Sequence, residues 1–360
     1  MSEIRSKANT EAALDREAIS AHDLSDALTD VLAIPEHMRD AVWKVESASL
    51  GQWESPGGLI VAGMGGSAIG GALAVAALGD TASRPILSSR GYGLPPWTTP
   101  DTTVLCSSYS GDTEETLACY DAACALGAKI VVATSGGKLA ELARADGNPV
   151  IPIAGGLQPR AAVAYMTIAA LEVAAACGAA PRIVSHIDVA AEHLEDLAIL
   201  WGPEGAEDSQ AKQLARDLAG TIPLIIGAGV TAPIAYRWKT QFNENAQVPA
   251  FAHELPELDH NEIVGWSSAS EFGSFSAVFL EDPAGMHPRI AERVELTEEL
   301  IRDQAVGTHR LQTIGTTPFD RVFSLVLLGD LVSLYVAILR SVDPTPVAVI
   351  DELKKRLAGS

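Results

Sequence analysis

Aromatic residues are scarce in this chain, at 5% of 360 residues, although 48% of the residues are hydrophobic. Small and aliphatic side chains therefore supply the core, as in a layered α/β protein whose helices pack closely on a sheet. Basic residues are also few: 25 Lys and Arg stand against 46 Asp and Glu, a formal net charge of −21. That balance argues against nucleic acid and against an anionic membrane surface as partners. An anionic substrate would have to be held by local donors against an unfavourable overall field. Cysteine is limited to Cys106, Cys119, Cys124 and Cys177, with no CxxC pair. These are expected to be reduced core thiols in a cytoplasmic protein, with a metal or disulfide role as the second reading. Behind Met1–Lys7 there is no apolar stretch of the secretory type. Long uninterrupted apolar runs are missing too. The longest candidate, Val322 to Leu339, is broken by Ser324, Gly329, Asp330 and Ser333, which predicts a buried helix and not a membrane span.

Glycine, by contrast, is concentrated. Gly63-Met64-Gly65-Gly66-Ser67-Ala68-Ile69-Gly70-Gly71 follows the apolar run Leu59-Ile60-Val61-Ala62. That order predicts strand, glycine-rich turn and helix. A helix start offers free N–H groups and a positive dipole end to an anion. A second loop, Ser107-Ser108-Tyr109-Ser110-Gly111-Asp112-Thr113, follows Thr103-Val104-Leu105-Cys106 and is rich in hydroxyls. Both loops end strands, so they can close on one phosphate.

Apolar runs then alternate with helical segments. Strands are predicted at 58–62, 85–88, 103–107, 129–133 and 149–153, and helices at 68–77, 113–126, 137–145 and 160–177. Such alternation gives a parallel sheet with crossover helices. Residues 11–50 have helical periodicity, with Pro35 opening a helix. The stretch 181–189 and the loop 202–208 separate this half from a second one. There Leu224-Ile225-Ile226-Gly227-Ala228-Gly229-Val230-Thr231-Ala232 overlays the first glycine loop, with Thr231 on Ser67. Further strands are expected at 248–251, 274–280 and 309–313. The expectation is two tandem α/β domains, residues 1–190 and 191–360, with added N- and C-terminal helices.

Each motif has competing readings. Gly63-Met64-Gly65-Gly66-Ser67-Ala68 fits G-x-G-x-x-A, but the ribose-binding acid of a dinucleotide fold is missing from the next strand end, Ile86 to Gly91. Arg90 there leaves an NADP oxidoreductase as a minor alternative. No Gly-Lys-Ser/Thr follows, so a P-loop is excluded. In the hydroxyl loop, Asp112 and Glu115 have the spacing of a capping box, yet Ser108, Ser110 and Thr113 are more hydroxyls than a cap requires. The segment 243–262 is dense in acids and amides. His253, Glu254, Glu257 and His260 suggest a metal site, but Pro256 and the spacing count against zinc. Arg160, in Gly155-Gly156-Leu157-Gln158-Pro159-Arg160, is read as either a surface arginine in the first turn of a helix or a cation facing an anionic intermediate.

Taken together, Gly-Met-Gly-Gly-Ser-Ala-Ile-Gly-Gly, Ser-Tyr-Ser-Gly-Asp-Thr-Glu-Glu-Thr, Pro-Arg, Asn-Glu-Asn-Ala and Glu-Leu-Pro-Glu-Leu-Asp-His-Asn-Glu resemble the bifunctional phosphoglucose/phosphomannose isomerases of the sugar isomerase (SIS) superfamily. The resemblance runs from Ile34 to Leu357 and implies two tandem SIS-type, flavodoxin-like domains. It places the phosphate pocket on the Gly66 backbone, Ser67, Ser108, Ser110 and Thr113. It places the arginine that stabilises an enediolate on Arg160, the proton-transfer base on Glu244 and the ring-opening histidine on His260, supplied across a homodimer interface. A C-terminal lysine near the ring oxygen falls on Lys354, next to Lys355. The implied substrates are hexose phosphates, with no cofactor and no metal. A non-catalytic phosphosugar-binding module and an isomerase of another phosphosugar are the alternatives. The acidic segment before Ile34 lies outside the resemblance.

Overall fold

The computed structural model describes residues 8–358. Three helices come first: α1 (Arg16–Ser20), α2 (Ala27–Leu32) and α3 (Ile34–Ser47). Asp15 caps α1 by accepting from the Ala18 N–H, and Pro35 occupies the first turn of α3, where its missing N–H costs nothing.

The first α/β unit follows: β1 (Leu59–Ala62), α4 (Gly65–Leu78), β2 (Ile86–Ser89), β3 (Thr103–Ser107), α5 (Glu114–Leu126), β4 (Lys129–Thr134), α6 (Gly137–Ala145), β5 (Val150–Pro152) and α7 (Val163–Ala176). Its five strands are parallel in the order β2-β1-β3-β4-β5. Every residue of β1 and β3 is buried. A parallel sheet covered on both faces reads as continuous apolar runs for this reason.

α8 (Val184–Trp201) and α9 (Gln210–Leu218) lead to the second unit: β6 (Ile222–Gly227), α10 (Ala232–Glu244), β7 (Phe251–Glu254), α11 (Ala269–Phe272), β8 (Phe275–Glu281), α12 (Pro288–Ile301), β9 (Gly307–Gln312), α13 (Pro318–Leu339) and α14 (Ala348–Ala358). Its four strands are parallel in the order β7-β6-β8-β9. This repeats the order of the first four strands of the first sheet, so the two glycine loops end equivalent strands.

α4 and α7 cover one face of the first sheet and α10 one face of the second. α13 packs on α4, α8, α9 and α10 between them. One hydrophobic cluster runs through this shared helical layer, from Leu59 and Leu105 to Ile225, Trp238 and Leu339. Smaller clusters fill the outer faces of the two sheets. Among the described residues α13 is the one helix long and apolar enough to cross a membrane, and its apolar window is entirely buried within the fold.

Four local expectations need correction. The strand expected at 248–251 is Phe251–Glu254, because Gln247 has a φ of 52° and Pro249 has no N–H for the ladder. The stretch 181–189 is mostly helix: Ile187, Ala190, Ala191 and Leu194 give α8 a buried stripe. Cys124 is exposed, while the other three thiols are buried. α7 starts at Val163, so Arg160 lies in the turn before the helix and not in its first turn.

Candidate active site

β1 and β3 are neighbours, but the chain leaves β1 for β2 on one side and β3 for β4 on the other. Their carboxyl ends therefore flank a crevice, the usual place for a ligand in an open parallel sheet. α4 starts there with Met64 as N-cap, and α5 with Thr113 as N-cap, and neither has a side-chain cap bond. Two sets of helix-start N–H groups are thus left for an anion. The loops touch: the Tyr109 N–H donates to Ser67 Oγ at 3.3 Å. Ser108 Oγ lies 2.9 Å from Thr113 Oγ1 and accepts from the Gly111 N–H at 3.1 Å. Ser110 is exposed, and its Oγ accepts from the Asp112 N–H at 3.2 Å.

The Asp112–Glu115 capping box is not formed. Asp112 Oδ1 accepts instead from the Lys138 N–H at 2.9 Å, at the start of α6. The first turn of α5 consequently stays without an internal carboxylate cap.

Arg160 is buried, at 7% exposure, which rules out the surface reading. Its Nε donates to Asn245 Oδ1 at 2.7 Å, and its Nη2 to the carbonyls of Pro344 (2.7 Å) and Thr345 (3.0 Å). Its Nη1 donates to Glu244 Oε2 at 3.3 Å. These bonds use four of the five N–H donors of a guanidinium. The remaining one belongs to Nη1, the nitrogen that faces Glu244. Burial pulls the Arg160 guanidinium below its usual range, and the Glu244 carboxylate opposes that shift. An arginine so placed remains a cation.

Glu244 is the last residue of α10 and its side chain is 30% exposed. It therefore reaches solvent from the arginine's open side. Gly66 ties this pair to the first glycine loop. A Cβ on Gly66 would stand 2.7 Å from the Pro159 carbonyl oxygen and 3.3 Å from Arg160 Cα. Only a glycine lets the two segments approach this closely. Gly66, Ser67, Ser108, Thr113, Arg160 and Glu244 are thus joined through direct contacts in one chain.

His260 and Lys354 are not brought into this set. His260 is exposed in the 3-10 turn Glu257–His260, and Lys354 is exposed on α14. Nearby, His253 pairs with the Glu262 carboxylate, and Glu257 accepts from Asn261 at 2.8 Å. Arg90 stacks on the Tyr236 ring, 4.7 Å from its centroid.

Among the described residues, the second unit has no equivalent anion crevice. Where β3 runs into hydroxyls, β8 runs into Glu281 and Asp282, both buried and paired with Arg310 and Arg321. Those carboxylates and the arginines that neutralise them fill the strand end where the first unit has free hydroxyls. In the sequence Asn245 stands out only as a neighbour of Glu244, and nothing there connects Arg237 or Asp330 to Arg160. Asp330 did break an apolar run, and that was the available signal.

The repeated strand order and the paired glycine loops define an α/β protein with two SIS-type parallel sheets flanked by helices. A family profile described as the bacterial phospho-glucose isomerase C-terminal SIS domain matches residues 207–357. A bifunctional phosphoglucose/phosphomannose isomerase from Caldicellulosiruptor bescii is 43% identical over 303 residues, covering 83% of this chain and 89% of the relative. One from Aquifex aeolicus is 34% identical over 83% of this chain and 90% of the relative. A crystal structure of a glucose-6-phosphate isomerase like protein from Thermus thermophilus superposes with a TM-score of 0.61 at 19% identity, over 96% of this chain and 99% of that one. The chain belongs to the bifunctional phosphoglucose/phosphomannose isomerase family.

Proposed function

We infer that this chain interconverts glucose 6-phosphate and mannose 6-phosphate with fructose 6-phosphate, an aldose–ketose isomerisation through a cis-enediolate. The observation that carries the reading is the Arg160–Glu244 pair set against an uncapped phosphate loop. Neutral hydroxyls and helix N–H groups of Gly66, Ser67, Ser108, Ser110 and Thr113 receive the phosphate, which suits a chain with so few cations. Glu244 removes the proton from C2 of the aldose and returns it to C1, acting as general base and then general acid. As the carbonyl oxygen gains charge, Arg160 stabilises it with a cation already fixed by four bonds, so little reorganisation is needed. The reaction needs no nicotinamide: one proton passes from C2 to C1, a second passes from the C2 hydroxyl to the C1 oxygen, and no net oxidation occurs.

Hexose phosphates are mostly cyclic, so ring opening requires a further acid–base group. His260 takes that role from the partner subunit of a homodimer, and Lys354 lies at the ring oxygen. The exposure of His260 and its separation from the contact chain around Arg160 support supply in trans. Phe251, Val264 and Phe272, in the elements on either side of the same turn, are exposed apolar side chains suited to burial against a second copy. The test is a coupled assay with glucose 6-phosphate and mannose 6-phosphate, each followed to fructose 6-phosphate. Turnover of both is expected. Binding of both without turnover would leave a sensor module in place of the enzyme.

A further inference from the structure

α13 is apolar almost throughout, yet it carries a buried carboxylate near its middle. Asp330 is 1% exposed and so is its partner Arg237. Arg237 donates to Asp330 through Nε at 3.0 Å and through Nη2 at 2.6 Å. A pair this deep adds little stability over apolar side chains of similar shape, because both charges lose their water. Its presence therefore asks for a geometric explanation.

The geometry converges on Arg160. Arg237 Nη2 also donates to the Arg160 carbonyl oxygen at 3.0 Å. Three residues along α13, Ser333 Oγ accepts from Asn245 Nδ2 at 2.9 Å and donates to the Asp330 carbonyl at 2.8 Å. Asn245 Oδ1 in turn accepts from Arg160 Nε at 2.7 Å. One relay ends on the backbone of Arg160 and the other on its guanidinium, and both are rooted in one turn of α13. Gly66 packs against the same backbone, at Pro159 and Arg160. The separation between phosphate loop and arginine is therefore fixed by the Gly66 contact together with both relays.

We propose that Asp330 and Ser333 are positioning residues for the isomerase reaction, acting through Arg237 and Asn245 to hold Arg160 where the enediolate oxygen forms. The proposal rests on the role given to Arg160 above. A guanidinium displaced by about 1 Å still binds a phosphorylated sugar but loses alignment with the developing charge, a loss on the order of 100-fold.

Ser333→Ala tests it, with Ser324→Ala as control. Ser324 lies on the same helix, is also buried, and also accepts one N–H, from Ile314. The readouts are kcat, KM, thermal midpoint, and calorimetric affinity for two probes: inorganic phosphate and a five-carbon phosphorylated hydroxamate that mimics the enediolate. Ser333→Ala is expected to match the control in thermal midpoint and to keep KM within about twofold. Its kcat and hydroxamate affinity are expected to fall together by about 10-fold or more, with phosphate binding unchanged. A double variant, Arg237→Met with Asp330→Leu, removes the second relay without stranding a charge. It is expected to lose at least as much kcat. If it fails to fold, Ser333→Ala alone decides. A folded Ser333→Ala with unchanged kcat and hydroxamate affinity overturns the proposal, as does an equal loss for phosphate and hydroxamate. A wild-type chain inactive on both sugars overturns the isomerase reading, and this proposal with it.

Discussion

Two side chains carry the proposed chemistry, and their surroundings separate their tasks. Arg160 is nearly saturated with neutral acceptors and one carboxylate, so its charge is fixed in place. Glu244 makes a single long contact at 3.3 Å and keeps access to solvent, so it can exchange a proton. Glu244→Gln is expected to lower kcat roughly 100-fold to 10,000-fold with a small change in KM, the usual loss for a general base. Steady-state assays on glucose 6-phosphate check this, and near-normal kcat would remove Glu244 from the role. Arg160→Lys keeps the charge but forfeits the planar fork, since an ammonium cannot bond Asn245, Glu244 and two carbonyls in one plane. The expected result is a kcat loss without rescue by the retained charge. The phosphate loop predicts the opposite kinetic signature. Ser110→Ala and Thr113→Ala should raise KM by the equivalent of about 1 to 3 kcal/mol each if each hydroxyl makes a charge-assisted bond. Unchanged KM in both variants would move the phosphate elsewhere.

At the scale of elements, α13 shows why some features were legible in the sequence and others were not. Its long apolar run identified a buried helix directly, because a helix hydrophobic on all sides has to be enclosed. The central strands β1, β3, β4, β6 and β8 were equally visible, since parallel strands covered on both faces read as apolar runs, whereas the partly exposed edge strand β7 was displaced by three residues. What stayed hidden depended on partners distant along the chain. Asp112 had the spacing for a local cap, but the α6 start competed for its carboxylate. Arg160 looked like a surface arginine until Asn245, Glu244 and the 344–345 carbonyls, far off in sequence, enclosed it. Gly329 is a third case. By propensity alone, glycine in the middle of α13 is a defect that alanine should repair by up to about 1 kcal/mol. Yet a Cβ there would stand 2.2 Å from the Trp238 indole nitrogen, which donates to the Leu325 carbonyl at 2.7 Å. Both Trp238 and this stretch of α13 are fully buried, so neither yields easily. Gly329→Ala is therefore expected to destabilise, by about 1 to 3 kcal/mol as in other overpacked cores. Denaturant unfolding reads the sign, and a more stable variant would show that the indole can shift freely.

For the whole molecule, the doubled topology raises the question of how many sites one chain holds. The second sheet repeats the strand order of the first, but buried Glu281 and Asp282 occupy the strand end where the first has hydroxyls. Among the described residues one crevice is therefore left for the proposed phosphate site, and it has no histidine within its own contacts. The proposed dimer answers both points by lending each site a His260 from the other copy, in an arrangement whose two-fold symmetry makes the exchange reciprocal. Complementation tests it. Glu244→Gln and His260→Ala proteins, each inactive alone, are mixed under conditions that exchange subunits. If His260 acts in trans, every heterodimer has one site with both defects and one with neither. A statistical mixture is half heterodimer, so activity recovers to about a quarter of wild type by symmetry counting. If His260 served its own chain's site, each heterodimer would hold two singly defective sites, and mixing would restore nothing. Demonstrated exchange without recovery would therefore return His260 to its own subunit, or remove it from the site altogether.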